Sequence, residues 1–388
     1  MELVKTYISD INDDTKRITG VVKYDDGFEE EYWYEYPAEY EISQSGNPWL
    51  AVLLPMAATI GEDLSISLPL DQRLIDGAKD ILRFWNSFDI GTSIIKIKAT
   101  GGIVSSSLSS KDSASFFSTG VDAFYTAFNV PRAKFKILIH GFDIAVDKEQ
   151  EFEIHRNRIG KVVDEMGQTL IPVKTNIRKT RWQQTKWQRV SHGASLAAIG
   201  LLLEKHFSEI FIPSSTSDFK SLGLWGSHPV TDPLFSTSDT SLVTNGDGLN
   251  RIGKLKTLLS HDVVLNNLHV CIRGKDGTGQ DEVNCSHCEK CYRTMIVLDL
   301  LGVLEKCKLF DLNKYRHEDV YKIFVTNENT IVMYKEMVKI AEQQGKHELA
   351  AGIKKCLRRS KLMEFLAVLD NVPLFWRITY KLTNSSIY

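Results

Sequence analysis

Four cysteines constrain this chain more than any other feature. They stand at Cys271, Cys285, Cys288 and Cys291 in the stretch VCIRGKDGTGQDEVNCSHCEKCYRTM, and they are four of the six cysteines in the sequence. The last three share a three-residue spacing, which lets their thiolates converge on one centre. Tetrahedral zinc accepts four sulfurs at roughly 2.3 Å each. A disulfide framework belongs to an oxidising compartment. Here Met1 is followed by Glu2, Lys5 and Asp10 with no apolar core of a signal peptide, and no apolar run is long enough to span a membrane. The expectation is a cytoplasmic chain, without a membrane span, carrying structural zinc. Zinc closed by four sulfurs has no open position, so it acts as a staple and chemistry lies elsewhere. Cys307 and Cys356 stand apart and read as buried small hydrophobes.

A length of 388 residues accommodates two or three domains, and a net charge of −2 gives no global attraction to nucleic acid or anionic membrane. Residues 1–92 read as a small α+β domain. Arg17–Lys23 and Glu29–Tyr36 alternate like strands around an Asp25-Asp26-Gly27 turn. An apolar helix follows over Trp49–Thr59, then a strand over Leu64–Leu68, and helical periodicity over Asp71–Phe88. Residues 93–308 alternate strands with helices. The strands are Ser93–Ala99, Ala114–Phe117, Phe135–Ile139, Thr169–Val173, Glu209–Ile212 and Leu268–Cys271. The helices are Val121–Asn129, Lys148–Met166, Ser195–His206 and Leu249–Ser260. Such alternation predicts an α/β fold, a doubly wound parallel sheet that binds ligands at strand carboxyl ends. Residues 309–388 read as a helical appendage, with helices over Val320–Ile323, Asn329–Gln344, His347–Cys356 and Leu362–Leu369.

The second strong feature is Phe116-Phe117-Ser118-Thr119-Gly120-Val121-Asp122-Ala123, an apolar strand end, a small-residue turn and a helix start. Backbone N–H groups in such a turn, with a helix N-terminus behind, make an anion cradle. Asp122 beside phosphate calls for a cation, which suggests Mg²⁺. Taken alone, the motif also reads as an N-capped helix after a turn.

This loop resembles that of the PP-loop (N-type) ATP pyrophosphatases, Ser-Gly-Gly-x-Asp-Ser. Ser118, Gly120 and Asp122 match it, while Thr119 and Ala123 replace a glycine and a serine. The cysteine spacing is similar to that of 7-cyano-7-deazaguanine synthases within that family, and Arg293 follows the last cysteine where the family is also basic. The resemblance covers roughly residues 93–305. It implies a PP-loop (HUP-like) core. It also implies an ATP- and Mg²⁺-dependent ligase that adenylates a carboxylate, such as a deazapurine acid, for attack by ammonia or by a protein or peptide amine. Ser118, Thr119, Gly120, Val121 and Asp122 would hold pyrophosphate and metal, and Arg251 and Lys254 would neutralise charge. A wider group of bacterial synthase-like proteins with an added N-terminal domain is also similar, at His140–Asp143, Ser191–Ala194, Ile212–Ser215 and Gly226–Pro229. Some of these sit in antiviral defence operons, which offers a second expectation: a degenerate nucleotide-binding module in a multi-protein assembly that uses the terminal segments. A tRNA-modifying PP-loop enzyme is a third.

Each remaining candidate has a plainer reading beside it. His140, Gly141 and Asp143 end a core strand, where they meet adenine and ribose or merely form a turn. Lys174–Arg189 (KTNIRKTRWQQTKWQR) carries six basic residues, Trp182 and Trp187, which suits nucleic acid, a lid over phosphates or a solvated loop. His192 opens a helix as phosphate or substrate ligand, or as a cap. His228 and Asp232 lie in a loop placed for substrate contact. Arg251 and Lys254 share a helix face at i, i+3, as functional cations or as a surface pair.

Overall fold

The computed structural model describes residues 1–104, 111–215, 223–271, 284–325 and 328–369. They divide into two compact units. One comprises Met1–Ser118 and Thr126–Gly248, and the other comprises Thr119–Tyr125 and the chain from Leu249 onward.

The first unit is built on a ten-stranded, mostly parallel sheet. Its strands are β1 (Glu2–Asn12), β2 (Thr15–Lys23), β3 (Glu29–Pro37), β4 (Leu64–Ile66), β6 (Ile97–Ala99), β8 (Asp112–Phe116), β9 (Phe135–His140), β10 (Thr169–Thr175), β11 (Phe207–Pro213) and β12 (Ser241–Asn245). The order across the sheet is β12-β11-β8-β9-β10-β3-β2-β1-β4-β6, while β5 (Leu70–Asp71) and β7 (Ile103–Val104) form a separate pair. Strands β12 to β10 are all parallel, so the chain leaves β8 in one direction through β9 and β10, then returns to β8's other side with β11. That reversal puts a topological switch point at the carboxyl ends of β8 and β11, where open α/β sheets bind ligands.

The expected boundary near residue 92 does not divide the molecule. Strand β3 pairs antiparallel with β10 through Lys174↔Glu35 and Thr175↔Tyr34, so the N-terminal meander continues the core sheet. Helix α1 (Asn47–Ile60) explains the rest. It is buried from Asn47 to Ala58, and it packs on α5 (His192–Leu202), itself buried from Gly193 to Leu202. Helices apolar all round exist only where other elements enclose them. Pro48 opens α1, and Gly61 at φ 77° ends it by donating its N–H to Ala57 O. Helix α2 (Gln72–Asn86) starts at Asp71, whose carboxylate caps the Arg73 and Leu74 amides.

Other elements of this unit lie close to expectation: α4 spans Glu149–Glu165, and α3 spans Val121–Asn129, beginning in the second unit and ending in the first. Helix α5 begins three residues early, and strand β12 was not foreseen, its five residues SLVTN being mostly polar.

The second unit holds α6 (Arg251–Leu258), α7 (Asp262–Asn267), α8 (Glu289–Leu300), α9 (Glu328–Gln343) and α10 (His347–Leu369). Two expectations are corrected here. Leu268–Cys271 forms no strand; the Asn284 side chain takes its backbone groups instead, accepting from Val270 N (2.8 Å) and Cys271 N (3.2 Å) and donating to Leu268 O (2.9 Å). The two last expected helices are one continuous α10, because nothing between Cys356 and Leu362 breaks a helix.

Candidate functional site

The second unit gathers the four cysteines. The Sγ atoms of Cys271, Cys285, Cys288 and Cys291 all lie within 4.8 Å of one another. Three of the separations are 3.8 Å (Cys271–Cys288), 3.7 Å (Cys285–Cys291) and 3.5 Å (Cys288–Cys291). A tetrahedral ion with sulfur ligands at 2.3 Å sets its ligands about 3.8 Å apart, so the donor set fits zinc. Local structure makes the cluster. Ser286 takes φ 59° and turns the chain, the Cys288 amide donates to Cys285 Sγ at 3.4 Å, and Cys288 immediately precedes α8, which carries Cys291 in its first turn.

The same unit brings Asp122, Arg251 and Lys254 together. Asp122 lies in the first turn of α3; Arg251 and Lys254 lie on α6, whose start Asn250 caps by accepting from Gly253 N. Lys254 Nζ is 2.7 Å from Asp122 Oδ1, and Arg251 Nη2 is 3.1 Å from Oδ2. Burial pushes the Asp122 pKa up, but Arg251 and Lys254 together outweigh it and hold the carboxyl below its ordinary value. Lys254 also lies 5.6 Å from the ring centre of Tyr125. Gly120 accepts the first helical bond, from Phe124 N. Thr119 is buried at φ 58°, a left-handed backbone that a β-branched residue adopts only under strain. This is where the resembled motif has glycine. Ser118, which belongs to the first unit, is exposed.

Arg293 joins this unit from α8. On α8 it is 9% exposed, donates from Nη1 to Thr330 Oγ1 at 3.0 Å, and sets Nε 3.4 Å from Glu289 Oε1. Its place two residues beyond the last cysteine was the available signal.

The other candidates lie in the first unit. His140 is fully buried, stacked on Phe152 at 4.2 Å, with Nε2 3.0 Å from Ala145 O in its own turn and Nδ1 buried without a hydrogen-bond partner among the described residues. Gly141 has φ 106°, and a Cβ there would stand 2.1 Å from Thr175 O. Gly141 and Asp143 line a cavity of about 230 Å³ at the carboxyl ends of β9 and β10, with Thr175, Asn176, Arg178 and Lys179. His192 opens α5 with its ring 4.8 Å from Trp187, and burial lowers its pKa to about 4. His228 and Asp232 serve their own loop. Asp232, fully buried, accepts from Ser227 Oγ (2.6 Å) and His228 N (3.0 Å), and His228 Nδ1 accepts from Val230 N. Burial pushes Asp232 up to about 7 and His228 down to about 4.

The basic stretch is largely absorbed by the fold. Arg181 pairs with Asp26 and covers the Phe28 ring at 4.0 Å, Lys179 pairs with Asp147, Lys174 with Glu149, and Trp182 Nε1 donates to Val52 O. Among the described residues, no helix is long and apolar enough to cross a membrane.

No family model, curated protein or solved structure matches this chain. What its own geometry defines is an α/β protein with a large, mostly parallel sheet and a four-cysteine cluster suited to a metal ion.

Proposed function

We propose that the protein is an ATP-dependent adenylating enzyme of the PP-loop class, similar to 7-cyano-7-deazaguanine synthase. The observation that carries this reading is the meeting of Asp122, at the start of the helix after β8, with Arg251 and Lys254. In the reaction, a carboxylate oxygen attacks the α-phosphorus of ATP, and the bond to pyrophosphate breaks. An amine nitrogen then attacks the acyl carbon, loses a proton and displaces AMP, leaving an amide. Negative charge grows on the departing pyrophosphate, where Arg251 and Lys254 stabilise it electrostatically. Both cations are paired with Asp122 beforehand, which holds them in place and helps offset the buried charge of Lys254. When phosphate arrives, they exchange carboxylate for phosphate oxygens. Asp122 is then available to Mg²⁺, which typically takes one or two carboxylates plus phosphate and water oxygens. Zinc on Cys271, Cys285, Cys288 and Cys291 would be a structural staple.

The strain at Thr119 and the saturation of Asp122 by two cations favour a second reading, a nucleotide-binding module without turnover. Sulfur transfer to tRNA is disfavoured. Cys307 and Cys356 are 3% and 0% exposed, and burial raises both thiols to about 11.

The test is release of AMP and pyrophosphate from Mg-ATP by zinc-loaded protein, with and without 7-carboxy-7-deazaguanine and ammonium. Carboxylate-dependent release that disappears in Asp122→Ala supports the enzyme. ATP binding without release under every condition moves the assignment to the binding module.

A further inference from the structure

We propose that Arg293 is a third anion-binding cation of the Asp122 cluster and that the four-cysteine metal site seats it, so that metal and anion binding strengthen one another. The inference rests on the phosphate-site reading above. Three cations, Arg251, Lys254 and Arg293, accompany two carboxylates, Asp122 and Glu289. Arg293 is within electrostatic range of the pair on either side. The charges of Arg251, Glu289 and Asp122 all act on its guanidinium. Its Nε is buried and lacks a hydrogen-bond acceptor among the described residues, although Glu289 Oε1 lies 3.4 Å away. A guanidinium with one N–H buried and unsatisfied gains from an oxygen-rich anion, whose planar-fork recognition is what arginine does best.

Two mechanical links run from the thiols to this cluster. The first is α8. Cys288 immediately precedes it, Cys291 and Arg293 follow on it, and it packs against α6, which carries Arg251 and Lys254, and α9, which carries Thr330. Fixing Cys288 and Cys291 on one ion therefore fixes the rotation of the helix that aims Arg293. The second is the segment before Cys271. His269 N donates to Thr119 O at 3.1 Å, two residues from the first thiol, so the ligand strap is bonded to the candidate anion loop itself. Asn284, beside Cys285, locks that strap by its bonds to Val270 and Cys271. The metal cluster thus holds both the loop and the third cation.

Coupling of this kind is reciprocal at equilibrium. The probe is inorganic pyrophosphate with full-length, zinc-loaded protein. Affinity is measured by calorimetry for the parent, Arg293→Met and Arg293→Lys, and zinc affinity by equilibrium competition with a chelator, with and without saturating pyrophosphate. Arg293→Met is expected to weaken pyrophosphate about tenfold or more, as loss of a charge-assisted bond does. Arg293→Lys loses less. Saturating pyrophosphate is expected to tighten zinc about fivefold or more in the parent and not in Arg293→Met. If Arg293→Met fails to retain one zinc per chain, Arg293→Lys carries the comparison, with a smaller coupling expected. Parental pyrophosphate affinity in the variants, or zinc affinity indifferent to pyrophosphate, overturns the inference and leaves the adenylation reading standing. Failure of the parent to bind pyrophosphate removes both.

Discussion

Lys254 Nζ lies 2.7 Å from Asp122 Oδ1, while only 1% of the lysine side chain meets solvent. The Asp122 carboxylate is one of the groups that offset so enclosed a charge. Removing one partner of a buried pair costs about 3–5 kcal/mol, because the other charge is left uncompensated. Asp122→Asn is expected to lose stability of that order in urea denaturation. Pyrophosphate should raise its melting temperature more than the parent's, since the anion replaces the missing charge. A variant as stable as the parent would show that the other neighbours of Lys254 suffice to offset its charge.

The metal cluster predicts a sharp division among six cysteines. Cys271→Ser or Cys291→Ser should abolish stoichiometric zinc and lower the midpoint of unfolding, as loss of a structural zinc ligand does. Cys307→Ser and Cys356→Ser should keep one zinc per chain. Metal analysis and thermal melts decide it, and chelation of the parent should reproduce the ligand variants.

Asp232 gives a pH signature. Burial raises its folded pKa from 3.8 to about 7. Between those values the folded state keeps a proton that the unfolded state has lost, so this residue's contribution falls as pH rises, by up to about 1.4 kcal/mol per unit. Asp232→Asn cannot ionise, and its amide can still meet Ser227 and His228. Its stability relative to the parent should therefore increase from about pH 4 to pH 7 and then level off. A pH-independent difference would place the aspartate pKa near its ordinary value.

Gly141→Ala should be severe. The new methyl would stand 2.1 Å from Thr175 O, at a backbone φ of 106°. Positive φ alone costs an alanine about 1–2 kcal/mol, and the clash must add to that by pushing β9 from β10. A loss above about 2 kcal/mol in urea denaturation is the expected outcome.

A chain beginning at residue 93 should not fold. It lacks α1, against which α5 is buried, and β3, which covers β10. Circular dichroism and proteolysis of such a fragment would reveal a native-like sheet if the N-terminal segment were dispensable.

Much of this was legible in the chain. The strand, turn and helix from Asp112 to Asn129 are written as a short stretch ending in Phe116-Phe117, then Ser-Thr-Gly and an amphipathic stretch, and the cysteine spacing announces its own convergence. The parts that were not legible depend on partners distant in sequence. The basic residues of Lys174–Arg189 look free until Asp26, Asp147 and Glu149 arrive from other elements. Leu268–Cys271 has the composition of a strand, yet one asparagine thirteen residues beyond Cys271 takes its hydrogen bonds. His228 and Asp232 sit in a loop suited to substrate, but no spacing reveals that their side chains close on that loop.

The clasp made by Asn284 has a consequence for how such a chain can change. Its one side chain serves Leu268, Val270, Cys271 and Leu309 at once. A replacement at this position gives up several hydrogen bonds together. Asn284 can therefore drift only in step with the backbone it ties.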